Sequence, residues 1–227
     1  MILHIPGVLP PDAVADFRDR LLAAAWVDGR ATAGPQSALV KSNLQLAVTE
    51  PEAAALGGEI LDALGRHQAF IAAALPARVV PPLFNRYEAG MGFGDHIDNA
   101  IRFDVSGGRR YRTDLSATLF LSEPGDYDGG ELRIEDGVGH RSVKLPAGDL
   151  ALYPATTVHH VTPVTRGVRL ASFFWVQSMV RAPDQRQVLR DLDRGVIDIR
   201  GALGDDHPAV VRLTGVYHNL LRQWAEG

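Results

Sequence analysis

The chain has 227 residues, 46% of them hydrophobic and 22% charged, which is enough for one substantial domain with its own core, with or without a helical appendage. It contains no cysteine, which excludes disulfide staples, thiolate metal ligands and thiol nucleophiles and confines any metal ligands to His, Asp or Glu. A formal net charge of −4 gives no global attraction to phosphate backbones, and neither a basic leader with an apolar run at Met1 nor a stretch of ~18 apolar residues is present, so a cytoplasmic protein without a nucleic-acid or membrane partner is expected.

Pro10-Pro11-Asp12 opens a pattern in which Val14, Phe17, Leu21 and Ala25 recur at helical spacing, and Trp26 followed by Asp28-Gly29 ends it. A second helix is predicted from Thr49-Glu50-Pro51-Glu52, where Thr49 and Glu52 have capping-box spacing. Leu56, Ile60, Leu64 and Ile71 then run up one face until Pro76. From Pro81 the period changes to two. Leu115, Ala117, Leu119 and Leu121 alternate with Ser116, Thr118 and Phe120, and short strands are predicted at 131–134, 142–145, 149–153 and 169–176 between glycine-rich turns. The fold class read from this pattern is mainly β with flanking helices (α+β), an antiparallel sandwich or barrel with helices against its outer face. After Val180 the pattern is helical again: Val188 and Leu192 come first, and then Val210, Leu213, Tyr217, Leu220 and Trp224 line one face. Pro183 and Pro208 mark the starts. Three regions follow: a helical support region over 1–77, a β core over 78–178, and a helical tail over 181–227. The tail is too short to fold alone and should dock on the barrel or on a second subunit.

His96-Ile97-Asp98 and His159 are the candidate metal ligands. Side chains two apart on a strand share a face, so His96 and Asp98 can grip one ion while Ile97 points away. Two imidazoles and one carboxylate leave open positions for substrate and oxygen, the arrangement that suits non-haem Fe(II) oxygenases rather than closed structural zinc. His159 follows a glycine turn, a strand and the Pro154 bend, which return a second imidazole towards the first pair. Arg169 shares strand parity with Ala171, Phe173 and Trp175, so a guanidinium opens an otherwise apolar face. Buried without a partner it would be costly, and a planar carboxylate fits its paired donors.

Segments along nearly the whole chain resemble PKHD-type hydroxylases, a branch of the iron- and 2-oxoglutarate-dependent dioxygenases related to prolyl 4-hydroxylases. They include His-Ile-Pro-Gly-Val-Leu near the start, Leu-Phe-Asn-Arg-Tyr87, His96-x-Asp98, Tyr-Asp-Gly-Gly-Glu-Leu132, Thr-Pro-Val-Thr-Arg-Gly-Val-Arg169 and the late Tyr-His-Asn-Leu-Leu-Arg-x-Trp224. The resemblance implies a double-stranded β-helix (jelly-roll) barrel, Fe(II) held by His96, Asp98 and His159, and Arg169 on the distal carboxylate of 2-oxoglutarate. Tyr87 matches a tyrosine that assists the cosubstrate in relatives, and the resemblance allows L-ascorbate as a reductant. It further implies hydroxylation of a C–H bond with release of succinate and carbon dioxide. Strand parity puts His159 and His160 on opposite faces, and the spacing of the family motif before Arg169 selects His159.

Asp126-x-Asp128-Gly-Gly-Glu131 lacks the later ligands of a calcium loop and reads as an acidic turn. Arg102, Arg109, Arg110 and Arg112, interleaved with Phe103 and Tyr111, form a basic loop that could meet an acidic substrate or simply face solvent. His4, His67, His140, His207 and His218 lack a second ligand at useful spacing. Two rival readings stay open here: a cupin-type metal enzyme needing no 2-oxoglutarate, which would not require Arg169, and a non-catalytic sensor of iron and 2-oxoglutarate. The expected partners are 2-oxoglutarate, O2 and an unidentified small-molecule or peptide substrate, and a homodimer through the C-terminal helices is the alternative to their docking on the barrel.

Overall fold

The computed structural model describes residues 2–32, 34–103 and 108–226. Strand β1 (Leu3–Ile5) leads to α1 (Pro11–Ala23), which begins on a proline pre-set for the first turn and buries Val14, Phe17 and Leu21. Trp26 lies beyond that helix in a strand, β2 (Trp26–Asp28), because it has a partner to pair with further along. After the one-turn α2 (Pro35–Ala38) come β3 (Lys41–Ser42) and β4 (Leu44–Leu46). The single long helix expected up to Pro76 is two: α3 (Pro51–Arg66) and α4 (Gln68–Ala74). His67 separates them with an extended backbone, and its Nδ1 accepts from the Phe70 amide at 3.3 Å, capping α4. Thr49 does not cap α3; Glu50 is the N-cap, without a side-chain bond, and Pro51 begins the helix.

Strands then follow in close succession: β5 (Pro76–Val79), β6 (Leu83–Tyr87), β7 (Gly92–His96), β8 (Ile101–Phe103), β9 (Arg110–Arg112), β10 (Leu115–Phe120) and β11 (Tyr127–Gly129). The series continues with β12 (Leu132–Glu135), β13 (His140–Val143), β14 (Leu150–Pro154), β15 (His159–Val161), β16 (Val164–Gly167) and β17 (Arg169–Ser178). Helices α5 (Pro183–Leu203) and α6 (Pro208–Trp224) close the described chain.

The larger antiparallel sheet runs β1-β14-β10-β17-β6-β4-β2, with β5 also on β17, and the smaller runs β13-β12-β15-β7-β3. Region 1–77 therefore contributes four strands as well as its helices. The strand alternation in β10 has a specific meaning. Leu115, Ala117 and Leu119 join Leu150, Leu152, Leu170, Phe174 and Val176 in a core shared with Phe17, Leu21, Leu56, Ile60 and Leu64 of α1 and α3. The opposite face carries Ser116 and Thr118, yet every residue of β10 is buried, because that face looks into the space between the sheets rather than into water.

A separate apolar cluster fixes the tail. Leu75 after α4, Val180 after β17 and Leu189 of α5 are buried together, with Tyr217, Leu220, Leu221 and Trp224 of α6 packed against them. Arg186, 6% exposed, donates to the carbonyls of Val180 and Arg181 at 2.8 and 2.7 Å. Ala225 bridges to Val180, and Glu226 donates its amide to Met179 O at 2.8 Å. The tail docks on the body of its own chain.

Candidate metal and cosubstrate site

The two histidines reach each other through strand pairing, since His159 of β15 lies directly opposite His96 of β7. The register shifts between His159 and Val161, which brings Phe93, three residues before His96, opposite inward-facing Val161. Asp98 departs from the expectation that it shares a strand face with His96: β7 stops at His96, and Asp98 lies in the irregular segment that follows. There its Oδ2 accepts from Ser116 Oγ of β10 at 2.5 Å and sits 3.6 Å from His159 Nε2. Ligand atoms of His96, Asp98 and His159 all lie within 4.8 Å of one another.

Hydrogen bonds prepare both imidazoles for a cation. His96 Nδ1 is 2.8 Å from Gly94 O, and His159 Nδ1 is 3.0 Å from Thr157 O. A carbonyl can only accept, so Nδ1 carries the proton and the Nε2 lone pair is left for a metal. Phe93 stacks on His96 at a centroid distance of 3.6 Å, and Tyr153 meets His159 edge-on at 5.1 Å, which fixes both rings. Burial first, and then the neighbouring His159, push the His96 pKa down to about 4, so the ring is neutral near pH 7 and ready to bind a cation. His160 points the other way, pairs with Arg133 of β12 and lies 2.7 Å from Asp95 Oδ1.

At the opposite end of the cleft, Arg169 is 1% exposed and all three of its guanidinium nitrogens lack a hydrogen-bond partner among the described residues. Its Cζ stands 5.3 Å from the ring centroids of both Tyr87 and Phe120, and the Tyr127 hydroxyl is near it but outside normal hydrogen-bond geometry. Gly130, at φ +65°, makes room: an added Cβ would lie 3.1 Å from Arg169 Cδ and 2.9 Å from Val164 Cγ2. Tyr87, directly across from Arg169 in the β6–β17 ladder, is held protonated by burial and is a donor. A buried charge with unmet donors is costly, and a carboxylate would satisfy it. The residues fit a divalent cation at one end and a carboxylate anchored at the other.

One cleft joins these ends, and side chains of both groups line it together with Phe93, Phe173 and Trp175. Sequence reasoning missed several of its polar walls: Lys41 from β3, Asn43 between β3 and β4, Gln45 from β4, Asn85 from β6, Ser116 and Thr118 from β10. Gln45 faces Asn85 across the ladder. Gln45, an amide between Leu44 and Leu46 in a short strand, was the available signal. The other candidates resolve differently. Asp126 and Asp128 pair with Arg18 and Arg166, as an acidic turn would. The basic loop is a β8–β9 hairpin flanking residues 104–107, which lie outside the described residues; Arg109 and Arg110 are exposed, and Arg112 is tied to Asp114 and Glu226. His4 bonds Asp149, and His67 and His207 cap helices.

Comparison with known proteins agrees with this geometry. A family model described as the 2OG-Fe(II) oxygenase superfamily matches residues 82–177, and one described as the PKHD-type hydroxylase C-terminal domain matches 184–226. A PKHD-type hydroxylase from Gluconobacter oxydans is 58% identical over 226 residues, covering 100% of both chains. Among solved structures, a Pseudomonas putida prolyl-4-hydroxylase aligns at TM-score 0.52 and 20% identity, covering 78% of this chain and 92% of that one. HygX from Streptomyces hygroscopicus, with nickel, 2-oxoglutarate and hygromycin B bound, aligns at 0.52 and 18%, covering 78% and 82%. At these identities the structures are similar in fold.

Proposed function

We propose, from the premise that the chain belongs to the PKHD-type hydroxylases of the 2OG-Fe(II) oxygenase superfamily, that His96, Asp98 and His159 are its iron ligands and that Arg169, assisted by Tyr87, anchors 2-oxoglutarate. The protein is an Fe(II)- and 2-oxoglutarate-dependent dioxygenase, a hydroxylase whose substrate is unidentified. When bound, iron and 2-oxoglutarate supply the oxidising power to hydroxylate a substrate C–H bond, with release of succinate and carbon dioxide.

The observation that carries the assignment of residues is the pairing of a three-ligand cluster with an orphaned guanidinium in one cleft. His96 and His159 present Nε2 because Gly94 and Thr157 hold Nδ1. Ser116 grips one oxygen of Asp98 and turns the carboxylate towards the histidines. Arg169 and Tyr87 meet a carboxylate with charge-assisted and neutral donors, and the aromatic walls keep water from competing. The unmet donors of Arg169 favour this reading over a cupin-type enzyme, which needs no such counter-charge.

We further assign 1–77 as support region, 78–178 as catalytic core and 181–227 as a helical subdomain. Exposed Val188, Ile197, Val211 and Val216 on α5 and α6 support a homodimer through that subdomain, which light scattering would read as twice the chain mass. The substrate is taken as a small molecule or peptide met in the cytoplasm. The central test is an anaerobic titration with Fe(II) and 2-oxoglutarate, followed by oxygen and ascorbate. A visible iron to 2-oxoglutarate charge-transfer band and stoichiometric succinate are expected; a band without succinate would indicate a sensor, and no band would overturn the residue assignment.

A further inference from the structure

The cleft has a second basic feature, well away from Arg169. Lys41 on β3 is 7% exposed and lies directly opposite Phe93 of β7. Its Nζ stands 5.2 Å from the Phe93 ring centroid and 6.0 Å from that of Phe173. Arg102 on β8 places its Cζ 3.9 Å from the Trp175 ring centroid, and its strand partner Tyr111 packs with Trp175 in a buried cluster that pins the hairpin. Phe173 and Trp175 meet edge to face at 5.6 Å, and Phe93 stacks on His96. One aromatic wall thus runs from a proposed metal ligand to both cations. Of the four loop arginines, Arg102 is the one that lines the cleft.

We propose that Lys41 and Arg102 form a substrate-binding site for a carboxylate carried on an apolar or planar body, which rests on Phe93, Phe173 and Trp175 beside the metal. The inference rests on the iron and 2-oxoglutarate reading above, because that reading commits Arg169 to the cosubstrate and Asp98 to the metal. A guanidinium stacked on an indole face keeps its donors in the ring plane and free at the edge, the geometry that grips a planar carboxylate in two bonds. Lys41 adds a point charge on the other side. Burial first, and then the neighbouring Arg102, push Lys41 down to about 8 against the opposing pull of Asp28 and Asp98, so the two cations are close enough to feel each other and a bound anion would favour both. Asp98 is the acid that both feel in common, and with metal bound its charge is engaged. The apolar rings explain why the site would select a carboxylate with a hydrophobic body over a small hydrated anion. A carboxylate fixed there would share the cleft with His96, Asp98 and His159, the residues that would hold the metal.

The test uses protein loaded with Fe(II) and saturating 2-oxoglutarate under nitrogen, so that Arg169 is already engaged. Calorimetric titration compares 3-phenylpropionate with its amide and with 3-phenylpropylammonium. The carboxylate is expected to bind at least tenfold more tightly than either. R102Q and K41Q should each erase most of that preference, and R102K should retain part of it, since it keeps the charge but loses the planar fork. Equal affinity for carboxylate and amide, or an undiminished preference in R102Q, overturns the proposal. The charge-transfer band is recorded in the same samples: its absence would sink the iron and 2-oxoglutarate reading, while loss of the carboxylate preference in R102Q and K41Q, with Arg169 intact, still decides the carboxylate site. Its presence in each variant shows that the variant is folded.

Discussion

Arg169 and Arg186 are both buried arginines, 1% and 6% exposed, and they sit in regions built on opposite terms. At the junction of the helical tail, Arg186 donates to two backbone carbonyls left over where β17 gives way to α5, so its charge is consumed by the fold. In the cleft, Arg169 has no partner among the described residues for any of its three nitrogens. Burial alone does not separate a structural cation from a ligand-binding one. Satisfaction does: a polar group met from within holds the chain together, and one left unmet keeps a place for something that is not chain.

The comparison predicts that cleft substitutions remove ligands while sparing the fold. Asp98→Ala takes away the only anionic member of the cluster, and complete loss of stoichiometric Fe(II) binding is expected with the melting temperature of the metal-free protein retained or raised. Iron bound at full stoichiometry would break the assignment. His159→Ala should likewise abolish iron-dependent succinate formation, whereas His160→Ala, which loses a surface contact to Asp95, should keep its metal; equal iron loss in both would refute the assignment of His159. Arg169→Ala should retain iron and bind 2-oxoglutarate about 30-fold more weakly or worse, as a desolvated charge-assisted pair is worth on the order of 2–5 kcal/mol.

At the junction the opposite pattern is expected. Arg186→Met removes the donor to the buried Val180 carbonyl and to the part-buried Arg181 carbonyl and should cost about 1–3 kcal/mol in a urea titration, with affinity for 2-oxoglutarate unchanged; altered cosubstrate affinity would show that the two regions are coupled. A further effect is one of pH. His96 has a folded pKa near 4 against an unfolded value of 6.5, caused mainly by burial. Between those values the unfolded chain binds more protons, so the stability of the metal-free protein should fall as pH drops from about 6.5 to 4. His96→Ala should flatten that slope, and equal slopes would remove His96 as its source.

Much of the architecture was legible because burial imposes periodicity. Leu115, Ala117 and Leu119 announced a strand packed on helices, and Val14, Phe17 and Leu21 announced the helix. What failed had local rather than periodic causes. Thr49 and Glu52 have the right spacing, but Pro51 already starts the helix one residue later. The apolar stripe from Leu56 to Ile71 runs through the break at His67, since a cap satisfied by a side chain leaves no trace in hydrophobicity. The triad was readable from residue type, but the position of Asp98 beyond β7 was not, because Ser116 of a different sheet holds it. Lys41 and Arg102 come from short strands far apart in sequence, and nothing local tells Arg102 from Arg112; only the packing of Trp175 and the acids Asp114 and Glu226 separate them.

Arg112 also joins the hairpin to the far end of the described chain. It stands at the foot of the hairpin that carries Arg102, held by Asp114 at 2.7 Å and by Glu226 at 2.6 Å, a partner 114 residues further along. During synthesis the ribosome releases His96, Asp98, His159 and Arg169 well before Glu226, so these residues can come together before the tail reaches the hairpin. A chain released only as far as β17 would already hold the hairpin on Trp175, and the clasp of Glu226 onto Arg112 is the contact that ties the tail to it last.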